Sequence, residues 1–203
     1  SAEEPPDLGF KRILAASAHV PYLSLLDGKT TDPDKQRIKE AARDLRDVPI
    51  FMSGARDLRR ICALVRFVTA HHKIKLVLLD HISAVCVPTS KNEYESVTAI
   101  SEALRVLALE CRVPILAAVQ ANREGARRAT ETAADLTEHD IRASGRVVQD
   151  AAATLILQPP SSGQGHVELR VTVRGSRFGP SDLERRLWVF PEQARVESPE
   201  VIP

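Results

Sequence analysis

The sequence has few cysteines, few aromatic residues and no excess of charge of either sign. Among its 203 residues are three cysteines, 4% aromatic residues, and 28 basic against 27 acidic side chains. Cys62, Cys86 and Cys111 stand singly inside apolar runs, which predicts buried, reduced thiols rather than a metal site or a disulfide framework. The balanced charge gives no composition-level argument for nucleic acid or membrane, so any such partner has to be recognised by a local site.

Long hydrophobic runs are also missing. No stretch reaches the eighteen or so consecutive apolar residues of a membrane span, and the N-terminus lacks the layout of a signal peptide. We therefore expect a cytoplasmic protein with no membrane partner. With 43% hydrophobic and 27% charged residues in 22.3 kDa, the chain has enough apolar mass for one soluble globular domain with a core.

Helical and strand-like segments alternate along the chain, which favours an α/β fold with a mostly parallel sheet flanked by helices. Apolar spacing predicts helices over 8–17, 33–48, 56–72 and 92–111, the second with Asp32 as N-cap. Continuous apolar runs predict strands over 49–52, 76–80, 114–119 and 153–157, with 76–80 and 114–119 buried on both faces. A polar loop of about twenty residues follows Val119, and a short helical segment lies near Val147. At the C-terminal end, 167–173 and 183–190 are expected to form a β-hairpin.

Two acidic or amide side chains follow predicted strands, where open α/β sheets place their ligand crevice. Asp80 ends one strand, the position of an acid that holds Mg²⁺ through water beside a nucleotide. Gln120 ends the next, followed by Asn122 and Arg123, and could hydrogen-bond a γ-phosphate. Taken alone, Asp80 is better explained as a helix or turn cap, and Gln120 as the end of a strand.

Gly28-Lys29-Thr30 copies the last three residues of a phosphate-binding P-loop, but it is not one. The full motif needs a glycine five residues before Gly28, a preceding buried strand and a following helix. Leu23 occupies the glycine position, and Asp32-Pro33 interrupts any immediate helix. We predict an ordinary turn.

Two arginine-bearing segments lie further along the chain. Arg174 and Arg177 flank a glycine-containing turn, from which a guanidinium group could stabilise phosphoryl transfer in a neighbouring subunit; solvated arginines on a hairpin turn are the alternative. Residues 140–145 could offer backbone N–H groups and Arg142 to the phosphates of a nucleic acid. The histidines show no metal-ligand spacing.

Taken together, in their order and spacing, these segments resemble the C-terminal motor domain of the DnaB-type hexameric replicative helicases, which has the RecA-like fold. The resemblance covers nearly the whole chain. "SAEEPPDLGFKRILAAS" looks like the family's "SLEMP" segment and following helix, "VLLDH" resembles the Walker B strand, and "RVPILAAVQANRE" is similar to the third helicase motif. "DIRASGRVVQDAA" resembles the fourth motif, and "RGSRFGP" looks like the arginine-finger turn.

The resemblance implies roles for residues in each motif. Its catalytic residues would be Glu3, Asp80, Gln120 and Arg177; ATP and Mg²⁺ are the cofactors, with Asp80 holding Mg²⁺ through water. The nucleotide-binding residues would be Asp80, Gln120, Arg174 and Arg177, of which Arg177 would act on the nucleotide of the neighbouring subunit. Single-stranded DNA would be held in the central channel by Arg123, Arg142, Ser144 and Gly145. Partners implied by the family are further copies forming a hexamer, a primase and a helicase loader.

The sequence departs from the family pattern in three places. The Walker A strand, loop and helix lie upstream of the "SLEMP" strand in the family, and this chain begins at that strand. Ala143 replaces the family's acid, and Gly175 replaces a lysine two residues before Arg177. We therefore expect 1–203 to be a single partial motor domain, N-terminally truncated relative to the family, which by itself hydrolyses ATP poorly.

Two other functions stay open. One is a non-catalytic DnaB-like protein that binds single-stranded DNA or regulates a helicase after losing ATP hydrolysis, an idea favoured by Ala143 and Gly175. The other is a different RecA-like ATPase, such as a recombination or clock-type protein, which the 120–123 and 140–145 segments disfavour.

Overall fold

The computed structural model describes residues 5–132, 135–141, 145–158, 161–162 and 167–199. Seven α-helices are formed by these residues: α1 Pro6–Ala18, α2 Tyr22–Leu26, α3 Asp32–Leu45, α4 Leu58–His71, α5 Glu93–Cys111, α6 Arg123–Thr132 and α7 Gly145–Asp150. Their strands are β1 Val77–Leu79, β2 Ile115–Ala117, β3 Thr154–Leu157, β4 Ser161–Ser162, β5 Val167–Arg174, β6 Glu184–Phe190 and β7 Arg195–Glu197. Short 3₁₀ helices span Ile82–Ala84, Glu138–Asp140 and Pro191–Gln193. The α/β class is as expected.

The parallel part of the sheet structure is smaller than the sequence predicts. Among the described residues, β1 and β2 form a two-stranded parallel sheet, with Leu79 opposite Ala117. A five-stranded sheet has the order β3-β5-β6-β7, with β4 beside β5, and its β4–β5 and β6–β7 pairs are antiparallel. The expectation of a mostly parallel sheet is therefore corrected to a small parallel sheet plus a curled antiparallel one. Consecutive β5 and β6 are neighbours in that sheet, as the predicted hairpin requires.

The chain divides into two compact units. Ser53–Ile156 and Thr172–Leu183 belong to the first, and Pro5–Met52, Leu157–Val171 and 184–199 to the second. In the first, the buried core consists of Ile82, Val85, Val97, Ile100 and Leu104, with Leu79, Ile115 and Ala117 packed against it. In the second, Ala15, Ala18, Val20 and Ala41 form a smaller core between α1 and α3.

Strand burial differs from the expectation. Leu78 in β1 is 67% exposed and Leu116 in β2 is 50% exposed, whereas their neighbours along each strand pack on the core. One face of the parallel pair is therefore covered and the other is not covered by any described residue, so the prediction of burial on both faces is wrong. The apolar run alone does not reveal this, because it records only that both faces are apolar.

Several local expectations are also corrected. Residues 49–52 form no strand, and the polar segment after Val119 contains α6 rather than only loop. Thr31, not Asp32, caps α3: its hydroxyl accepts a hydrogen bond from Asp34 N at 3.3 Å, and the Asp34 carboxylate accepts one from Thr31 N at 3.0 Å. The Asp34 carboxylate also accepts from the Thr31 hydroxyl at 2.6 Å. This bond, with those from the Arg37 guanidinium and Thr31 N, lowers the pKa of Asp34 to about 2.

Two further predictions, the rejection of Gly28-Lys29-Thr30 as a P-loop and the burial of the three cysteines, can be compared with the structure. Gly28 has a φ of +69° in a turn that follows α2 and not a buried strand, which agrees with the rejection of this segment as a P-loop. The expectation that Asp32-Pro33 interrupts an immediate helix is wrong, because α3 begins at Asp32. Cys62 is buried as expected, and burial raises the pKa of its thiol. Cys86 is exposed and Cys111 is half-buried, so the prediction of buried thiols is wrong for Cys86. No helix among the described residues is long and apolar enough to cross a membrane.

Candidate functional site

The ends of β1 and β2 bring two of the predicted residues to one edge of the parallel sheet. Ala118 N donates to the Leu79 carbonyl at 2.9 Å, and Ile82 N donates back to the Ala118 carbonyl at 3.0 Å. Asp80 therefore leaves β1 beside Ala118, and Gln120 lies two residues further along the neighbouring segment. Both side chains are exposed, and the Asp80–His81 peptide bond is cis. A carboxylate and an amide at one sheet edge are suitable ligands for Mg²⁺ and a phosphate.

The segment after Gln120 is tied to the 3₁₀ helix Glu138–Asp140. Ala121 forms a β-bridge with Ile141, and Asn122 N donates to the Asp140 carbonyl at 2.6 Å. The Asn122 side chain accepts a hydrogen bond from Gly125 N at 2.7 Å, which caps the first turn of α6. This structural role of Asn122 was not predicted, although an Asn just before a helix is a recognisable N-cap signal.

Asp140 is the centre of this arrangement, a role that the sequence pattern does not predict. Its side chain accepts hydrogen bonds from Thr137 N at 2.8 Å, the Thr137 hydroxyl at 2.9 Å and the Arg128 guanidinium at 2.6 Å. Burial disfavours the charged form of Asp140, which is 5% exposed, but the hydrogen bonds from Thr137 and Arg128 outweigh burial and lower its pKa. We call Asn122, Arg128, Thr137 and Asp140 the Asp140 cluster.

The predicted DNA loop begins directly after this cluster. Arg142 and Ser144 lie outside the described residues, as does Glu3. Ile141 is held by its bridge to Ala121, and Gly145 is the exposed first residue of α7. Arg123 is the exposed first residue of α6. The residues at the two ends of the predicted loop therefore belong to hydrogen-bonded elements: Ile141 to the bridge with Ala121, and Gly145 to α7.

A second carboxylate fixes the far side of the loop. Asp150, at the end of α7, accepts hydrogen bonds from the Ser101 hydroxyl at 3.0 Å and from Arg146 Nε at 3.1 Å. Arg105 of α5 lies 3.6 Å from the same carboxylate. Asp150 thus anchors α7 to α5, which belongs to the core of the first unit.

The arginine-bearing turn lies against the end of α7. Arg177 N donates to the Ala152 carbonyl at 2.9 Å, and the Arg177 guanidinium donates to the Gln149 carbonyl. Carbonyl groups at a helix C-terminus attract a cation, so this is a favourable resting position for an exposed arginine. Arg174 forms an ion pair with Asp182 across the turn.

Comparison with known proteins places these features in a family. The sequence profile of the DnaB-like helicase C terminal domain matches residues 1–188. The chain belongs to this family. Replicative DNA helicase DnaB of Treponema pallidum (strain Nichols) is 27% identical over 173 residues, covering 84% of this chain and 37% of that protein. The corresponding helicase of Mycobacterium leprae (strain TN) is 29% identical over 157 residues, covering 74% of this chain and 25% of that protein.

Solved structures agree at the level of the fold. A DnaB-like replicative helicase, whose structure was described together with its interactions with primase, matches 98% of this chain with a TM-score of 0.83 and 18% identity. A second structure, that of an ATPase domain, matches 98% with a TM-score of 0.84 and 18% identity. The chain spans 49% and 73% of these two chains, and about a third or less of the two DnaB proteins above. The predicted family is therefore confirmed.

This DnaB-like domain has a physical reason for glycine at position 175. Gly175 has a φ of +55°, and a Cβ atom there would lie 2.6 Å from Glu138 Oε1. That Glu138 oxygen is buried and has no hydrogen-bond partner among the described residues. A lysine, the residue of the family pattern, therefore cannot occupy this turn unless Glu138 moves and the backbone changes.

We expect alanine at Gly125 to destabilise the DnaB-like domain. Alanine ordinarily stabilises a helix relative to glycine, but a Cβ at Gly125 would lie 2.5 Å from the Asp140 side chain. Displacing that side chain should lower the free energy of unfolding by about 1–3 kcal/mol in urea denaturation. Gly145→Ala is the matched control, because a Cβ there meets nothing within 4 Å. Equal or higher stability of Gly125→Ala would contradict the described packing of α6 on Asp140.

Proposed function

We propose that the chain is the partial motor domain, over 1–203, of an ATP-dependent hexameric DNA helicase that translocates on single-stranded DNA and unwinds duplex DNA. One observation carries the proposal. The segment that starts at the Asp80–Gln120 sheet edge is hydrogen-bonded through Asn122 to Asp140, and Asp140 directly precedes the predicted DNA loop. A nucleotide-facing edge and a DNA-facing loop are thus connected by backbone hydrogen bonds within one unit.

The proposed roles follow from these positions. Asp80 binds Mg²⁺ through water, and Gln120 hydrogen-bonds the γ-phosphate. Glu3 orients the attacking water, and Arg177, assisted by Arg174, reaches the nucleotide of the neighbouring subunit. ATP with Mg²⁺ supplies the phosphoryl group that is transferred to water.

Reaching a neighbour requires Arg177 to leave its present partner. The guanidinium now bonds the Gln149 carbonyl at the end of α7, and α7 begins at Gly145 of the DNA loop. Release of Arg177 toward a neighbouring phosphate would therefore remove a contact at the end of α7. This arrangement links the state of a subunit interface to the loop that we propose holds DNA through Arg123, Arg142, Ser144 and Gly145.

The exposed face of the parallel sheet supports a longer protein. Leu78 and Leu116 present apolar side chains that no described residue covers. We propose that a Walker A strand, loop and helix of the complete protein pack there and complete the ATP site, and that primase and a helicase loader are partners of the complete protein. The exposed apolar face is the kind of surface that a further layer of an α/β domain buries.

A non-catalytic, DNA-binding or regulatory function is the second candidate. It is favoured by Gly175, because the φ of +55° at this position strains any residue with a Cβ atom, the family's lysine included. In this alternative the protein keeps the DNA loop and the Asp140 and Asp150 contacts on either side of it, but it does not hydrolyse ATP.

The two candidates are distinguished by single-stranded DNA binding and ATP hydrolysis. We expect this chain to bind a labelled oligonucleotide with an affinity that falls steeply with salt and is indifferent to ATP and Mg²⁺. Joining the chain to an upstream segment with a GxxxxGK[ST] motif should then produce DNA-stimulated ATP hydrolysis. DNA binding without hydrolysis in the joined protein would select the non-catalytic candidate, and absence of DNA binding in both forms would contradict both.

A further inference from the structure

One face of α4 is exposed along its whole length and is formed by none of the residues discussed above. Leu58, Ile61 and Cys62 turn toward the core of the first unit. The opposite face consists of exposed residues at helical spacing: Arg59, Arg60, Ala63, Arg66, Phe67, Ala70 and His71. We call these residues, with the exposed Lys73 and Lys75 that follow the helix, the α4 face. It contains no acidic residue.

Positive charge is concentrated here. Residues 56–75 contain six Lys or Arg and one acid, Asp57, whereas the whole chain has a net charge of +1. Arg66 is neutralised by Glu110 of α5, to which its Nε and Nη2 donate at 3.0 and 2.7 Å. Arg59 lies 3.8 Å from Asp57, and Arg60 forms no ion pair with a described residue. The cations of Arg59, Arg60 and Lys73 are therefore available to an anionic partner.

Two aromatic side chains lie between these cations. Phe67 is 60% exposed, and its ring centroid is 4.4 Å from that of His71, with an interplanar angle of 32°. The Nδ1 atom of His71 lies 2.7 Å from the Phe67 carbonyl oxygen, to which it donates, and this contact orients the imidazole beside the phenyl ring. An exposed phenyl ring costs free energy in water unless a partner covers it.

We propose that the α4 face binds single-stranded nucleic acid, with phosphates on Arg59, Arg60 and Lys73 and a base stacked on the Phe67–His71 pair. Cations that contact the backbone and aromatic rings that stack on bases are together the features by which proteins hold single strands without sequence preference. In a duplex the bases are already stacked on each other, so their faces are not available to stack on Phe67 and His71. The carboxylates of an acidic peptide would bind the cations, but they would not stack on the rings of Phe67 and His71.

The residues of this surface are not those of the proposed DNA loop, so the proposal stands independently of the motor function. The predicted loop residues lie between Ile141 and α7 in the sequence, whereas the α4 face belongs to the helix before β1. A strand held on α4 would give the protein a second contact with DNA, and two linked contacts raise the overall affinity above that of either one.

The test measures binding of the complete chain to a fluorescein-labelled dT oligomer by anisotropy, over a series of salt concentrations. The triple variant Arg59→Gln, Arg60→Gln, Lys73→Gln should bind at least about tenfold more weakly at low salt, and its log–log salt slope should be shallower by about 2. Phe67→Ala should weaken binding about fivefold or more without changing the slope. The control variant Lys39→Gln, Arg43→Gln, Arg46→Gln removes the same charge from exposed positions on and just after α3. Arg142→Ala reports separately on the loop.

Each result decides between alternatives. Loss of affinity in the α4 variants, with normal binding by the control, supports the proposal even if Arg142→Ala binds normally and the loop assignment fails. Equal binding by the α4 variants, the control and the unmodified chain would overturn it. It would also be overturned if the triple variant lost binding to poly-glutamate while its dT binding was unchanged, because the face would then be a site for acidic protein segments. Circular dichroism of every variant confirms that the exposed substitutions leave the fold intact.

Discussion

Replacing Arg177 by alanine, in protein completed with the upstream Walker A segment, is expected to lower kcat for ATP hydrolysis by about 10³-fold or more while ATP affinity changes little. The guanidinium in the proposed mechanism stabilises charge that develops only during phosphoryl transfer, so its loss raises the barrier more than it weakens binding. Steady-state hydrolysis and nucleotide titration measure the two effects separately. Arg185→Ala is the control, since Arg185 is an exposed arginine on β6 whose guanidinium donates to the carbonyl of the neighbouring Glu184.

Mixing variants tests whether Arg177 acts on a neighbouring subunit. Asp80→Asn disables the site of its own subunit, and Arg177→Ala disables the site of the adjacent one. In randomly mixed oligomers about a quarter of the interfaces combine an intact Asp80 with an intact Arg177. We therefore expect hydrolysis to reappear on mixing two inactive proteins. Mixtures as inactive as their components would contradict action between subunits.

The elements that sequence predicts well are those in which local pattern and tertiary packing agree. The 56–72 and 92–111 helices are present as α4 and α5, because the apolar residues at helical spacing are the ones that pack on the core. The strand positions at 76–80 and 114–119 are likewise correct. The parallel pairing follows because α5 connects β1 to β2 as a crossover helix.

The elements that sequence misses depend on contacts between distant segments. Leu78 has the same apolar character as Leu79, and only the packing on one side of the sheet distinguishes them. The α6 segment reads as polar loop because few of its residues are apolar, yet Asn122 caps it and Arg128 joins it to Asp140. Asp140 stands in the sequence as one acid among many, and its burial follows only from the fold.

Substituting Asp140 by alanine is expected to have the largest effect on stability within the candidate site, lowering the free energy of unfolding by about 2 kcal/mol. The substitution leaves Thr137 N and the Thr137 hydroxyl without their acceptor and removes the partner of Arg128. Urea denaturation at neutral pH measures the loss. Glu131→Ala, at an exposed position of α6, removes the same charge without touching the Asp140 cluster.

Asp140→Asn separates charge from shape and predicts a pH dependence. Because the pKa of Asp140 in the fold lies below its ordinary value of 3.8, its ionised form stabilises the protein fully above that value. That contribution is lost as the pH falls through the lowered pKa, so the stability difference between the unmodified chain and Asp140→Asn should narrow below about pH 4. A difference that is unchanged at pH 3 would show that the carboxylate charge is not what the cluster uses.

The same two variants test whether the Asp140 cluster connects the sheet edge to the DNA loop. In the completed protein, Asp140→Asn retains the backbone carbonyl that accepts from Asn122 N, so basal ATP hydrolysis should persist. Weakening the bonds from Thr137 and Arg128 loosens the start of the loop, so stimulation of hydrolysis by single-stranded DNA should fall. Normal stimulation in Asp140→Asn, with the expected loss of stability, would confine the Asp140 side chain to folding. The coupling would then belong to the backbone connections, which are the Ala121–Ile141 bridge and the bonds from Asn122 to the Asp140 and His139 carbonyls.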